Sequence, residues 1–381
     1  MKKALVHDWL NDFGGAEKCV ESFTNIWDDF EVYSLIDYLT NEDREIILKG
    51  KKANTSFIQN LPFSKSKYRN YLPLFPLAIE QFDLTKYEVV ISSSHAVAKG
   101  VLTRPDQLHI SYVYSPIRYA WDLYHQYLLE SGLNRGFKGT LAKYFLHKIR
   151  LWDVSTAHRV DHYIAISHYI AKRIEKIYGK KADVIYPPVD TSSFTIGETT
   201  ENYYVTSSRM VPYKKIDLIV EAISKTNHKL IVVGTGPDME KIKAKAGKNI
   251  ELLGYQSFEE MISIIQKAKA YIFAAEEDFG IAPIEAQACG IPVIAFGKGA
   301  TLETIVGSYT NEDNVQTTDT GIFFEEQTIG SLLQAVELFE KEISKFSKDI
   351  IRNNSLRFSK ERFEKEFEEI VNKKYKEWKQ K

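Results

Sequence analysis

The most informative residues of the 381-residue chain are two glutamates eight residues apart, Glu277 on a glycine-containing loop and Glu285 in the first turn of the helix expected after it. A strand-like run ends near Ala275, and Pro283 and Gly290 suit the first position and the end of a short helix. Open parallel sheets bind ligands at the carboxyl ends of their strands. A helix N-terminus there attracts a phosphate, and a nearby carboxylate accepts hydrogen bonds from sugar hydroxyls. The segment therefore predicts a site for a phosphorylated sugar, although either glutamate alone is more often a solvated acid.

Two cations in a second segment indicate the same kind of ligand. Arg209 and Lys214 lie where a strand leads into a turn and then a helix, so both side chains can face one crevice. A guanidinium and an ammonium beside a diphosphate would neutralise the charge that grows on the leaving group. Gly234 and Gly236 follow another strand and permit close backbone approach to a ligand, although a tight strand-to-helix turn needs glycine in any case. Isolated cations are usually solvated, so the prediction that Arg209 and Lys214 bind a phosphate depends on the two glutamates that indicate the same ligand.

Short apolar runs alternate with helical patterns along most of the chain, which predicts an α/β fold with parallel sheets covered on both faces. The predicted strands are 4–7, 89–92, 109–114, 163–167, 184–186, 203–206, 230–234, 271–275 and 293–296. The first helix should begin just after Gly14-Gly15, because Ala16, Val20 and Phe23 repeat at helical spacing.

The chain is large enough for two domains, since 44% of its 381 residues are hydrophobic. The alternation stops around Tyr186-Pro187-Pro188-Val189-Asp190 and restarts with the strand at 203–206, which places a linker between them. We predict an N-terminal Rossmann-like domain at 1–190 and a second one at 191–358. A charged helix at 359–381, with Phe363 and Phe367 on its apolar face, should pack back on the N-terminal domain.

The overall charge gives no attraction to nucleic acid or to membranes. Lys and Arg number 50 and Asp and Glu number 51, a formal net charge of −1. Cys19 and Cys289 fit neither a disulfide nor a metal-ligand pattern, which favours a reducing compartment. The N-terminal segment lacks a signal-peptide pattern and no apolar run is long enough to cross a bilayer, so we expect a cytoplasmic protein.

The motifs and their order resemble glycosyltransferase family four, and especially bacterial mannosyltransferases of polysaccharide and O-antigen assembly. The resemblance covers nearly the whole chain. It rests on Gly14-Gly15-Ala16-Glu17, Ser115-Pro116-Ile117-Arg118-Tyr119-Ala120-Trp121-Asp122, Tyr186-Pro187-Pro188-Val189-Asp190, the pair Arg209 and Lys214, and the pair Glu277 and Glu285. It implies the GT-B architecture, in which two Rossmann-like domains turn their parallel sheets towards a cleft, the N-terminal domain on the acceptor side and the C-terminal domain on the donor side.

The resemblance also implies a role for each matching residue. Arg209 and Lys214 would hold the donor diphosphate, while Glu277 would contact the transferred sugar and Glu285 the nucleotide ribose. The other implied donor-binding residues are Gly14, Gly15, Gly234, Gly236, Phe279 and Gly280. The family further implies retention of anomeric configuration, with the leaving phosphate helping to take the acceptor proton.

The chain departs from the family at Tyr114, where many relatives carry a histidine that approaches the donor sugar. Tyrosine can donate a hydrogen bond but cannot carry a proton near neutral pH. His95 follows a strand and is the substitute catalytic candidate, although a lone histidine is more often structural. We expect Tyr114 and Arg118 to contact the acceptor or the donor sugar.

Metal independence is predicted from the absence of an Asp-X-Asp triplet, through which many glycosyltransferases hold a divalent cation. Two fixed protein cations and helix-start amides can neutralise a diphosphate without an ion. We therefore expect no metal and no cofactor besides the nucleotide-sugar substrate.

Two acid-free stretches, between Glu45 and Glu80 and between Glu130 and Asp153, mix basic and aromatic residues. The first holds Lys49, Lys51, Lys52, Lys65, Lys67 and Arg69 with Phe57, Phe63, Tyr68, Tyr71, Leu72 and Phe75, and the second holds Arg135, Lys138, Lys143, Lys148 and Arg150 with Phe137, Tyr144 and Phe145. This mixture suits peripheral docking on an anionic membrane at the inner face of the plasma membrane, where a lipid-linked acceptor would lie. The alternative is ordinary solvated helix faces. Nucleic acid is not expected, because no recognition module accompanies the stretches.

The leading hypothesis is a retaining hexosyltransferase that acts on a glycan or lipid-linked oligosaccharide, with GDP-mannose as the donor by resemblance only. A nucleotide-sugar epimerase or hydrolase on the same fold would act without a sugar acceptor. A non-catalytic nucleotide-sugar-binding subunit would bind without turnover. The donor base, the acceptor and the linkage are not encoded in any motif of the sequence.

Overall fold

The computed structural model describes residues 1–311 and 315–380. The chain forms two compact units, one of Met1–Pro188 with the segment from Phe363 and one of Val189–Arg362. The predicted boundaries after 190 and 358 lie within four residues of these divisions. Lys381, the last residue of the predicted C-terminal helix, lies outside the described residues.

The first unit is built on a sheet of seven strands in the order β3-β2-β1-β4-β5-β6-β7, and every neighbouring pair is parallel. The strands are β1 (Lys3–His7), β2 (Glu31–Ser34), β3 (Asn54–Thr55), β4 (Val89–Ser94), β5 (Leu108–Val113), β6 (His162–Ala165) and β7 (Ala182–Val184). The helices are α1 (Gly15–Ile26), α2 (Asn41–Leu48), α3 (Ser64–Lys67), α4 (Phe75–Ile79), α5 (Tyr124–Glu130), α6 (Gly136–Ser155) and α7 (His168–Tyr178). All residues of β1, β4 and β5 are buried, so both faces of the sheet are covered.

The second unit repeats this plan with a seven-stranded parallel sheet in the order β10-β9-β8-β11-β12-β14-β13. Its strands are β8 (Tyr203–Ser207), β9 (Lys229–Val233), β10 (Ile250–Gly254), β11 (Ala270–Phe273), β12 (Val293–Phe296), β13 (Gly307–Tyr309) and β14 (Gly321–Phe324). Its helices are α8 (Ile216–Ile223), α9 (Met239–Lys245), α10 (Phe258–Lys267), α11 (Ile281–Ala288), α12 (Thr301–Thr304), α13 (Ile329–Glu342) and α14 (Lys348–Ser355). The α/β fold with two parallel sheets, predicted from the alternating pattern, is confirmed.

The last helix, α15 (Lys360–Lys379), contributes most of its length to the core of the first unit. Phe363, Phe367 and Val371 are fully buried on one face of it. The Phe367 ring lies 4.4 Å from the ring of Phe23, and the Phe363 ring lies 5.6 Å from that of Tyr112. The end of the chain therefore fills space beside α1 and β5 of the first unit.

A buried ion pair joins the loop after β4 to the end of α6. Lys99 Nζ lies 2.8 Å from Asp153 Oδ1, and it also donates to the Thr156 hydroxyl at 3.2 Å. The same carboxylate accepts hydrogen bonds from the Trp121 indole N–H at 2.8 Å and the Tyr178 hydroxyl at 3.0 Å. Both side chains are buried away from water, so their charged forms are stabilised only by these hydrogen-bond and ion-pair partners.

Candidate active site

The strand order reverses once in each sheet, between β1 and β4 in the first unit and between β8 and β11 in the second. Doubly wound sheets bind ligands at such switch points, outside the carboxyl ends of the strands. In the second unit these ends lead into Ser208-Arg209 after β8 and into the segment of Glu277 after β11. In the first unit they lead into Asp8 after β1 and His95 after β4.

A hollow of about 570 Å³ lies at the carboxyl ends of β8, β9 and β10 in the second unit. Its lining residues are Ser207, Ser208, Arg209, Val233, Gly234, Thr235, Gly236, Tyr255, Gln256, Met261, Ala282 and Glu285. The structure thus brings Arg209, Glu285, Gly234 and Gly236, which lie up to 76 residues apart in sequence (285 minus 209), around one space. Among these lining residues Arg209 is the one cation and Glu285 the one carboxylate. A guanidinium suits a phosphate and a carboxylate suits hydroxyl groups, so the pair suits a ligand that carries both.

The two glycines of this hollow are required by the backbone beside them. A Cβ on Gly234, whose φ is +123°, would lie 2.0 Å from the Ser208 carbonyl oxygen. A Cβ on Gly236 would lie 2.3 Å from the Met210 carbonyl oxygen. The Met210 N–H also donates to the Thr235 carbonyl at 2.9 Å. The glycines therefore allow the loop after β8 to lie against the loop after β9, and this contact explains them without a ligand.

Lys214 and Glu277 pair with each other, with 2.5 Å between Nζ and Oε1. Neither residue lines the hollow described above. Lys214 ends a short 3₁₀ turn, Pro212–Lys214, and the next residue, Lys215, has a left-handed φ of 57° that a side chain adopts only under strain. The Glu277 carbonyl accepts a hydrogen bond from Ala300 N–H at 2.9 Å. The backbone around each partner is thus fixed by local structure. Lys214 follows the lining residue Arg209 by five residues, and Glu277 precedes the start of α11 by four.

Helix α11 starts earlier than the sequence predicted. It begins at Ile281 because Gly280, with φ +84°, turns the chain immediately before it. Pro283 is the third helical residue and not the first, which is tolerated because the first N–H groups have no partner within the helix. Glu285 consequently lies in the second turn. The predicted end is correct, since Gly290 follows the helix with φ +73°.

Phe279 contributes to packing in addition to its predicted contact with the donor. Its ring is buried and lies 5.7 Å from the ring of Phe358. The side chain therefore stabilises the loop between Glu277 and Gly280, and a direct contact with a ligand stays a prediction.

Tyr255 is a lining residue that sequence reasoning missed. It follows β10, and its side chain is 81% exposed although it belongs to the wall of the hollow. The Gly254 carbonyl before it accepts a hydrogen bond from Gly234 N–H at 2.7 Å, which fixes this loop beside the glycines. An aromatic residue directly after a strand would have indicated this role. The signal was missed because no strand was predicted at β10. An exposed ring in the wall of the hollow suits stacking on a nucleobase.

Replacing Tyr255 with alanine should weaken nucleoside diphosphate binding by about 5- to 150-fold, since stacking on a base contributes about 1 to 3 kcal/mol. Titration calorimetry with nucleoside diphosphates would measure it. Inorganic pyrophosphate, which has no base, should bind equally to both proteins. Tyr255→Phe keeps the ring and should retain affinity. Equal loss with pyrophosphate would show that the variant disturbs the hollow itself.

In the first unit, a buried network surrounds the start of α1. The Gly14 N–H donates to Glu17 Oε2 at 3.1 Å, and Glu17 Oε1 lies 3.5 Å from His7 Nε2. His7 Nδ1 lies 3.0 Å from Ser93 Oγ, which is 2.8 Å from the Tyr114 hydroxyl. Burial would raise the pKa of Glu17, but the hydrogen bond and charge of His7 outweigh burial and lower it.

This network bears on the predicted roles of Gly14 and Gly15. Glu17 already places a carboxylate against the N-terminus of α1, where the family resemblance implied donor phosphates. The φ of Gly14 is −100°, an ordinary value for any residue, although a Cβ there would lie 2.9 Å from Glu17 Oε2. Phosphate binding by these two glycines therefore stays a prediction, with Glu17 as a competing anion.

His95 lies beside Asp8 at the switch point of the first unit. Its Nδ1 is 3.2 Å from Asp8 Oδ2, and the Trp9 ring meets it edge-on at 4.2 Å. The Asp8 carboxylate also accepts hydrogen bonds from four successive backbone N–H groups, those of residues 95–98, at 2.6 to 2.9 Å. Burial lowers the pKa of His95 although the charge of Asp8 opposes this, so the imidazole is neutral near pH 7. A neutral, oriented imidazole can accept a proton, which fits the role predicted for His95.

Tyr114 is tied into the first unit by its hydroxyl group. The hydroxyl donates to the Ala16 carbonyl at 3.0 Å and also contacts Ser93. Burial raises its pKa well above the ordinary value. The hydroxyl hydrogen that could reach a sugar is thus already donated within the protein. Contact with the acceptor or the donor sugar stays a prediction for Tyr114 and for the half-buried Arg118.

The two acid-free stretches differ in what they expose. Tyr68 and Phe75 of the first stretch are buried in the core, so the expectation that they belong to a membrane-facing patch is wrong. Phe63 is the most exposed aromatic of that stretch, at 74%. In the second stretch Phe137 and Tyr144 are exposed on α6. The second stretch therefore exposes these two aromatic residues, and its docking on a membrane stays a prediction.

Across residues 1–311 and 315–380, no helix is both long and apolar enough to cross a bilayer. Within the same part of the chain, no three His, Cys, Asp or Glu side chains are grouped as ligands for a metal ion. Metal independence remains a prediction from sequence.

Two doubly wound units of this kind define the GT-B class of glycosyltransferases. Among solved structures, HepE of Anabaena in complex with UDP superposes with a TM-score of 0.69 at 14% identity, over 98% of this chain and 100% of that one. Sucrose-phosphate synthase of Thermosynechococcus elongatus gives a TM-score of 0.71 at 14% identity, over 98% and 99%. At these identities the likeness concerns the fold alone.

The family is defined by two sequence models that follow each other along the chain. The model "Glycosyltransferase Family 4" matches residues 14–193, and "Glycosyl transferases group 1" matches residues 190–357. The chain belongs to glycosyltransferase family four, as the motifs predicted.

Three curated relatives are similar to parts of the chain. An uncharacterised glycosyltransferase of Methanocaldococcus jannaschii is 30% identical over 39% of this chain and 44% of its own length. A GDP-mannose-dependent phosphatidylinositol monomannoside mannosyltransferase of Corynebacterium glutamicum is 28% identical over 38% and 47%. The O-antigen chain mannosyltransferase RfbU of Salmonella typhimurium is 26% identical over 50% and 57%. The matches span about half the length of these relatives.

Proposed function

We propose that this protein is a retaining, metal-independent glycosyltransferase that moves a hexose from a nucleotide-sugar to a glycan or lipid-linked acceptor. One observation carries the proposal: the cation Arg209 and the carboxylate Glu285 line one hollow at the switch point of the second sheet. The hollow, about 570 Å³, is of the size of ordinary small-molecule sites.

The ion pair between Lys214 and Glu277 would supply a second cation and a second carboxylate for the donor. In the resting protein the two charges neutralise each other at 2.5 Å. An arriving diphosphate would draw the ammonium to its oxygens, and the released carboxylate could then accept hydrogen bonds from the hexose hydroxyls. Charge that develops on the leaving group would meet Lys214 and Arg209, which is the usual way in which an enzyme stabilises such a transition state.

Mannose from GDP-mannose is the proposed donor. The names of two relatives support it, since one is GDP-mannose-dependent and the other is an O-antigen mannosyltransferase. A D-rhamnosyltransferase of Pseudomonas aeruginosa, 24% identical over 39% of this chain, and the UDP complex of HepE represent the competing sugar and base. A thermal-shift panel of nucleoside diphosphates and their sugars would separate these donors, because a tight ligand raises the melting temperature.

The proposed acceptor is a glycan or a lipid-linked oligosaccharide in bacterial polysaccharide synthesis, met by a cytoplasmic enzyme at the inner face of the plasma membrane. The support is the acid-free stretch of α6 with its exposed aromatic residues. Net charge alone would not direct the protein there.

The test is release of nucleoside diphosphate from GDP-mannose with and without a membrane-lipid extract as acceptor source. Release that rises with acceptor supports transfer. Acceptor-independent release would instead identify a hydrolase or epimerase, and binding without any release would identify a non-catalytic subunit. Analysis of the anomeric configuration of the product by NMR would decide between retention and inversion.

A further inference from the structure

Helix α6 carries apolar residues on two opposite faces. Its inner face packs Leu146 and Ile149 into a buried cluster of the first unit. Its outer face exposes Phe137 by 85%, Leu141 by 45%, and Tyr144 and Leu151 by 53% each. An ordinary surface helix is polar on its outer side, so this face is unusual.

The exposed apolar residues form one stripe, with the exposed Lys148 among them. They are spaced by four, three and seven residues, which places all four side chains on one side of a helix with 3.6 residues per turn. The fourteen residue steps from Phe137 to Leu151 span roughly 21 Å at about 1.5 Å per step. The buried residues Leu146 and Ile149 lie on the opposite side of the helix.

The charges around the stripe have one sign. Between Glu130 and Asp153 the sequence contains five Lys or Arg residues and no Asp or Glu. Lys138 and Lys148 are exposed, and Lys148 Nζ lies 5.5 Å from the centre of the Tyr144 ring. Aromatic and leucine side chains bordered by lysines are typical of helices that lie in the interface of an anionic bilayer.

We propose that the outer face of α6 docks on an anionic lipid bilayer, with Phe137, Leu141, Tyr144 and Leu151 entering the boundary between headgroups and acyl chains. Lys138 and Lys148 then lie level with the lipid phosphates. The four side chains, which are 45% to 85% exposed, offer roughly 400 Å², about half of what one partner contributes to a stable protein interface, which favours lipid over a second copy of the chain. The inference deepens the proposed membrane location but does not depend on transfer activity.

Sedimentation with vesicles tests the surface directly. The wild-type protein should sediment with vesicles of phosphatidylcholine and phosphatidylglycerol much more than with phosphatidylcholine alone. The triple variant Phe137→Ser, Leu141→Ser, Leu151→Ser should lose at least about tenfold in partition, because three apolar side chains no longer enter the bilayer. The double variant Lys138→Gln, Lys148→Gln should lose the preference for phosphatidylglycerol and most of the salt dependence.

A matched control and two further readouts keep the result specific. Leu302→Ser, at an exposed leucine of α12 in the second unit, should bind vesicles like the wild type. All variants should keep the circular dichroism spectrum and the GDP affinity of the wild type, so a failed donor assay and a failed docking assay are distinguishable. If the wild type does not sediment with anionic vesicles, or the triple variant sediments equally, the proposal is wrong. A wild-type dimer that the triple variant converts to a monomer, without vesicle binding, would assign this face to a second copy.

Discussion

Replacing Lys214 with alanine should slow sugar transfer by about 10- to 150-fold, the equivalent of the 1.5 to 3 kcal/mol that a charge-assisted hydrogen bond contributes. The ammonium pairs with Glu277 at 2.5 Å in the structure and would move to the donor diphosphate during reaction. Its loss removes a cation from the leaving group and leaves the Glu277 carboxylate without this partner. Steady-state kinetics with GDP-mannose would measure kcat and KM separately.

The control for Lys214→Ala is Lys225→Ala, which removes an exposed lysine of the same unit that lies 4.0 Å from Glu221. That variant should keep wild-type kinetics. Glu277→Ala and the double variant complete a cycle, and a coupling between the two positions is expected because they are in contact. Wild-type kinetics in Lys214→Ala would remove this lysine from the site, and strictly additive effects would mean that the ion pair has no part in the reaction.

Replacing Asp153 with alanine should lower the free energy of unfolding of the first unit by about 3 to 5 kcal/mol, because Lys99 then remains buried without its counter-ion. The carboxylate also accepts hydrogen bonds from Trp121 and Tyr178, and these donors lose their acceptor as well. Urea unfolding followed by tryptophan fluorescence would measure the effect. The five tryptophans all belong to the first unit, so the signal reports on that unit alone.

Asp106→Ala serves as the matched control for this measurement, since Asp106 pairs with Arg104 at an exposed site. Its unfolding midpoint should stay close to that of the wild type. Replacing both members of the buried pair, by Lys99→Met with Asp153→Leu, should recover part of the lost stability because no unpaired charge remains. A loss of about 1 kcal/mol or less in Asp153→Ala would show that water reaches the pair, as at surface ion pairs.

The sequence predicted the central strands of both sheets because each contains a short, buried run rich in apolar residues. β1, β4, β5, β8, β9, β11 and β12 were each located to within two residues at their starts. β6 and β7 were also located to within two residues at their starts, whereas β2, β3, β10, β13 and β14 were missed. β2 begins with the exposed Glu31, β3 has only two residues, and β10 is incompletely buried, so none of them has the continuous apolar run of an inner strand.

Only those residues of the candidate site that follow recognised strands or match a family motif could be assigned from sequence. Arg209 and Glu285 could be assigned from strand ends and family motifs, and the structure places both around one hollow. Tyr255, His7 and Asp8 could not be assigned, because their importance depends on which strands are neighbours. The order of strands in a sheet cannot be read from the local periodicity of the sequence. A residue that follows an unrecognised strand, as Tyr255 follows β10, is therefore not identified as part of a site.

The acid-free stretches show the same limit at the surface. Tyr68 and Phe75 looked as available as Phe137 and Tyr144 in sequence, yet the first two are buried. Tyr68 begins a 3₁₀ helix that ends at Leu74, and Phe75 begins α4, so their burial depends on tertiary packing that composition does not encode. On α6 the regular α-helical period holds, and there the exposed face follows from counting residues.

The position of α15 sets an order for folding during synthesis. Its phenylalanines complete the core around Phe23 and Tyr112, but they are synthesised only after the whole of the second unit. The segment Val189–Arg362 has emerged in full before them and holds its own sheet. The second unit can therefore finish folding before the first, which keeps an open apolar groove until α15 has been synthesised.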